Sequence, residues 1–96
     1  MENIKELLKQ REKELSDLLN REKKINTKIE ELNQRKEEVE QLLLDESKTI
    51  EERNELLSNK DSINFELSKL EEELENLLTV EIESLEEEIQ ALKRKL

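Results

Sequence analysis

The side chains best able to do chemistry in this chain are carboxylates. They cluster as Glu71, Glu72, Glu73 and Glu75, and again as Glu81, Glu83, Glu86, Glu87 and Glu88. Paired carboxylates act as acid and base, or hold a metal ion, only where a fold shapes a pocket around them. Here the spacing sets most of them on the outer face of a helix. Such a face holds Ca²⁺ or Mg²⁺ only loosely, and an EF-hand loop needs a Gly that this chain lacks. The remaining nucleophiles are weak. Ser16, Ser47, Ser58, Ser62, Ser68 and Ser84 have no His anywhere to activate them. Without Cys and His there is no basis for a zinc finger, an iron–sulfur cluster, a disulfide or a thiol catalyst. Without Gly there is no phosphate-cradling loop. Phe65 is the one aromatic residue, so bases have no stacking platform. The expectation is a protein that is not an enzyme and uses no cofactor or metal.

Composition narrows the rest. The chain has 96 residues, 46% of them charged and 32% apolar, with no Gly or Pro. It is at most one domain. Turn-rich β architectures need the punctuation that Gly and Pro supply. A net charge of −10 and a sequence pI near 4.6 argue against direct nucleic-acid binding. The longest apolar run is Leu42-Leu43-Leu44, far too short to span a membrane. The N-terminus, Met1-Glu-Asn-Ile-Lys, lacks a basic segment followed by an apolar core, so the expected setting is cytoplasmic, without a signal peptide. Low hydropathy with high charge fits disorder or a Leu/Glu/Lys-rich helix, and only periodicity separates the two.

The apolar residues step by threes and fours. Ile4, Leu8, Leu15, Leu18, Ile25, Ile29, Leu32, Val39, Leu43, Ile50 and Leu57 fall on a and d of one heptad frame. Arg11, Glu22, Lys36, Glu46, Arg53 and Lys60 occupy core positions of the same frame. Long charged stems can lie along a seam with their heads in water, and such positions can set register. Then the frame slips. Leu56, Lys60, Ile63, Leu67, Leu70, Leu74 and Leu77 make a stripe displaced by one residue. Leu78, Ile82, Leu85, Ile89, Leu92 and Leu96 make a third.

These patterns predict an all-α, long-helix coiled coil. A free-standing single helix does not fit. Only Asp17–Arg21 and Glu31–Arg35 are acid-before-base pairs four apart, against like-charge pairs such as Lys5–Lys9, Lys9–Lys13, Glu51–Glu55, Glu71–Glu75 and Glu83–Glu87. The stripe therefore needs a second stripe. Residues 1–36 carry ten bases and eight acids, whereas residues 61–90 carry eleven acids and one base, Lys69. That asymmetry favours antiparallel pairing, with the Lys5, Lys9, Lys13 row able to meet the acidic third. The arrangement is either a helical hairpin or an antiparallel dimer of near-continuous helices. A hairpin turn fits 58–62, where Ser, Asn, Lys and Asp cluster at the frame slip, better than 45–49, although Thr49-Ile-Glu-Glu52 has the form of a capping box. The chain then divides into a regular segment 1–57, a turn or slip at 58–62 and an acidic helix over 63–96.

The function that follows is structural: an oligomerisation, scaffold or adaptor module acting through its Leu/Ile seam. Its partner is a second copy, as homodimer or tetramer, or another helical protein. The alternative is a small acidic decoy, of phage or mobile-element type, that occupies the basic cleft of a nucleic-acid-binding protein. Its surface would be Glu71, Glu72, Glu73, Glu75, Glu83, Glu86, Glu87 and Glu88.

Overall fold

A computed structural model describes residues 3–96, and the N-terminal reading at Met1 and Glu2 lies outside them. Among the described residues there are only helices and turns. Helix α1 runs Ile4–Leu43 and α2 runs Ile50–Asn76. A π-helical turn, Leu77–Ile82, then leads into α3, Glu83–Arg94. The chain groups into two compact units. One joins the start of α1, through Ile25, to Glu73–Leu96; the other is Asn26–Glu72.

The helices form because nothing in them opposes helix. Leu, Glu, Lys and Gln dominate, and neither Gly nor Pro interrupts. Asn3 caps α1, its Oδ1 accepting the Lys5 N–H at 3.0 Å.

The Asn26–Glu72 unit is a helical hairpin. Its reversal lies at 44–49, so the preferred turn site at 58–62 is corrected: those residues sit inside α2. The physical reason is where side chains can satisfy the freed backbone. Ser58, Asn59, Asp61 and Ser62 all face solvent, and a helix carries exposed polar residues at little cost. The 44–49 segment, by contrast, is capped from both sides. The Leu44 and Asp45 amides donate to the carbonyls of Gln41 and Leu42 at 3.2 Å, tightening the last turn of α1. The Arg53 guanidinium donates to the carbonyls of Leu43 (3.4 Å) and Asp45 (3.0 Å). Asp45 Oδ1 accepts the Ser47 amide at 3.0 Å and its hydroxyl at 2.7 Å. Thr49 caps α2, taking the Glu52 amide at 3.1 Å while its hydroxyl donates to Glu52 Oε1 at 3.2 Å. No described residue has a positive φ, so the reversal needs no glycine.

This reversal also changes the seam. The frame that runs on through Ile50 and Leu57 ends at Leu43, because the chain turns back there. Ile50 is 79% exposed and Leu57 47%. The face α2 turns inward is the displaced stripe: Leu56, Lys60, Leu70 and Leu74 are half-buried, while Ile63 and Leu67 are buried; Arg53, read on the first frame, is half-buried as well. Leu32, Ile63 and Leu67 make the core of this unit, with Ile29, Val39 and Leu70 packed on it.

In the other unit Ile25, Leu77, Ile82, Leu85, Ile89 and Leu92 are buried, and Ile4, Leu8, Leu15, Leu18 and Leu74 are half-buried. The step from Leu77 to Ile82 is five residues, one more than an α-helical seam allows. The π turn absorbs the extra residue. The Glu83 amide bonds to the Leu78 carbonyl, five residues back, and the Thr79 hydroxyl donates to the Glu75 carbonyl at 2.8 Å. The second frame slip in the sequence is therefore a helical bulge. It leaves Leu78 and Val80 exposed rather than on the seam.

Leu77 is the most enclosed side chain, 1% exposed. Leu77→Ala should cost about 2–5 kcal/mol in urea unfolding followed by circular dichroism. A loss under about 1 kcal/mol would mean that this seam does not hold the unit together. Deleting Val80 should convert the π turn to α-helix and restore the three–four step. Cooperative unfolding and helicity should then be kept, with the midpoint unchanged or raised. Loss of cooperativity would contradict the register reading.

Candidate interaction surfaces

The acidic cluster divides once it is placed. In the first unit Glu88 accepts from Arg11 Nε at 2.8 Å, and Arg11 also pairs with Glu14 at 3.0 Å. Arg21 bonds Glu73 at 3.0 Å and lies 3.7 Å from Glu81. These contacts run from the start of α1 to the chain's last third, in the antiparallel sense that the charge map favours. Hydrogen bonds to Glu88, then Glu14, raise the Arg11 pKa above its ordinary value. Arg11 thus lays its stem on the seam and sends its head to the rim. Glu71, Glu72, Glu75, Glu83, Glu86 and Glu87 are exposed and make no ion pair among the described residues. Among those residues no three acidic side chains converge into a metal site. Lys5, Lys9 and Lys13 form a solvated face and do not pair with the acidic third. All three are exposed and make no ion pair among the described residues, and the arginines make the contacts instead. Each exposed pair contributes on the order of 0–1 kcal/mol, so the apolar seam outweighs them.

The other polar residues at seam positions differ in burial. Lys60 is half-buried and reaches Glu40 at 3.4 Å. Arg53 caps α1, as described above. Glu22 and Lys36 are half-buried, whereas Glu46 lies exposed in the turn. No side chain's polar atom is buried without a partner among the described residues.

The seam is therefore largely used within the chain, and the free surfaces lie on its flanks. One flank of the hairpin unit is a shallow groove between Arg35, Glu38, Val39 and Leu42 of α1 and Asn59, Ser62, Ile63, Phe65 and Glu66 of α2. Phe65 is exposed at its rim, with Lys69 Nζ 4.6 Å from the ring centroid. The sequence reading does not assign this Phe65 surface, although the four-residue spacing of Phe65 and Lys69 is a signal for it. The other flank carries Ile50 and Leu57 on α2, with Leu44 at the turn. No helix of the described residues is long and apolar enough to cross a membrane.

No family model matches the chain. No curated protein matches its sequence, and no solved structure matches its fold.

The turn offers a pH test. Ser47, through its hydroxyl first and then its amide, holds the Asp45 carboxyl below its ordinary pKa, with smaller help from Lys48 and Arg53. A depressed carboxyl stabilises the folded turn above its unfolded pKa, and that contribution disappears as pH falls through the folded value. In a carbon-detected NMR titration Asp45 should titrate below an ordinary aspartate, and Ser47→Ala should move its midpoint up. An unmoved midpoint would remove Ser47 as the cause.

Proposed function

We propose that the chain is a non-enzymatic interaction module, a helical hairpin that associates with further helices to act as a scaffold or adaptor. The observation that carries this reading is the balance of its apolar surface. Nine apolar side chains are buried among the described residues, and nine large ones stay exposed. A two-helix core of this size is thin, and pairing of hairpins into a four-helix bundle is the usual way to bury more. The absence of Cys, His and Gly removes the commonest catalytic arrangements and supports the non-enzymatic part. The Leu/Ile seam holds the hairpin itself, so association uses the flanks. Leu42, Phe65, Ile50 and Leu57 supply apolar contacts there.

A second reading is an acidic decoy for a basic cleft. It is favoured by the exposed carboxylates Glu71, Glu72, Glu75, Glu83, Glu86 and Glu87, which have no ion pair among the described residues. The simpler account is that they keep the surface solvated.

Sedimentation equilibrium at micromolar concentration, in low and high salt, tests the two together. The interaction module should sediment at a multiple of 11.5 kDa. A monomer under every condition, with no helical partner bound, would overturn it. Binding to a basic protein that survives changing those six Glu to Gln would overturn the decoy.

A further inference from the structure

The groove flank of the hairpin unit carries an ordered run of charge. Arg35 and Glu38 line the groove from α1, and Phe65 and Glu66 line it from α2. Lys28, Glu31, Arg35 and Glu38 follow one another by steps of three, four and three, so they share one face of α1. On α2, Lys69 stands over the Phe65 ring. Leu32 packs with Ile63 and Leu67, so it lies level with the turn of α2 that holds Phe65. Because the two helices run antiparallel, Glu66 is then level with Glu31, and Lys69 with Lys28. Along the flank the order is acid at Glu38, base at Arg35, acid at Glu31 and Glu66, and base at Lys28 and Lys69. Phe65 stands near the midpoint.

All six charged side chains are exposed, and none makes an ion pair among the described residues. They cancel, three bases against three acids. Residues 26–72 as a whole carry fourteen acids and seven bases, and most of the excess lies away from this run. Glu30 and Glu37 are two residues out of phase with Lys28 and Arg35, about 200° around α1. Asp45 and Glu46 belong to the turn, and Glu51 and Glu52 to the first turn of α2. Glu55 and Glu72 extend the flank with acid, one beyond each end of the run.

A run that alternates in sign about its midpoint is its own complement when turned through 180°. A second copy laid antiparallel on this flank sets Arg35 against the partner's Glu31 and Glu66, and Glu38 against the partner's Lys28 and Lys69. A parallel copy sets each charge against its like, which disfavours it. We propose that the chain forms a two-fold symmetric dimer through this flank, with the axis passing close to Phe65. This rests on the interaction-module reading and names its partner. The contact is isologous, so two hairpins close into a four-helix bundle and do not propagate further. Phe65, 63% exposed, meets the partner's groove beside Ile63 and supplies apolar burial, while charge sets the direction. The end acids Glu55 and Glu72 face one another across the contact and oppose it, outnumbered by the complementary charges between them.

Charge exchange tests it on the full chain by sedimentation equilibrium. Arg35→Glu should weaken self-association about tenfold. Adding Glu31→Arg and Glu66→Arg to that variant rebuilds a complementary order and should recover association. A control, Arg35→Glu with Glu30→Arg and Glu37→Arg, has the same net charge but carries its new bases on the other flank, and should stay weak. Phe65→Ser should weaken association, whereas Leu57→Ser should not. Circular dichroism checks that each variant stays helical, and Arg35→Gln, with a smaller expected loss, serves if Arg35→Glu does not. Association indifferent to Arg35→Glu and Phe65→Ser, equal recovery in the control, or loss on Leu57→Ser alone would overturn the two-fold contact while leaving the interaction module standing. So would a monomer that binds a different helical protein through Phe65. A chain that neither self-associates nor binds any helix would overturn both.

Discussion

Burial of a narrow Leu/Ile stripe is the constraint on which the rest of this protein depends. With 46% of the residues charged, only one face of each helix can leave water. All the buried residues among those described are apolar, and none is polar or charged. Charged residues that fall on the stripe are accommodated at its edges. Arg11 and Lys60 extend their stems along it and place their heads on Glu88 and Glu40. The helices have weak means of standing alone, since stabilising pairs four apart are few. Each unit therefore exists because two stripe segments of the same chain cover one another.

The reversal that makes the hairpin unit possible rests on side chains, since glycine is absent. Asp45 and Thr49 satisfy amides on the α2 side, and Arg53 satisfies carbonyls on the α1 side. Arg53 has two uses. It occupies a seam position of α2 and it closes the end of α1. A charged residue at a core position can thus serve the fold without burying its charge. The acids that the turn leaves exposed, next to Ile50 and Leu57, give that end of the hairpin unit its acidic and apolar character.

Much of the fold was legible in the spacing of a few residues. The stripes Ile4 to Leu43, Leu56 to Leu77 and Ile82 to Leu92 match the faces turned inward, because helix period and burial are local to each segment. The slip after Leu77 was visible, although the third stripe was read as starting at Leu78, which is exposed. Its form as a π turn was not, since a break, a stutter and a bulge share the same spacing. The turn was misplaced for a related reason. Ser58 to Ser62 compete for backbone hydrogen bonds as well as Asp45 to Thr49 do, and composition does not say which cluster finds its partners. Ile50 and Leu57 continued a perfect frame, and periodicity cannot report that the chain reverses between two beats of it.

The sequence by itself determined the fold class and most of the inward faces, because these follow from residue types and their period. It also determined that the charge is unevenly spread, with the acids late in the chain. Only the tertiary structure decided which carboxylates are answered by arginine and which stand free, for that depends on register across the seam. It alone decided that Lys5, Lys9 and Lys13 make no ion pair among the described residues, and that Ile50, Leu57 and Leu44 face solvent. Those outcomes rest on where the chain turns, which is a competition between distant side chains for a few freed backbone groups.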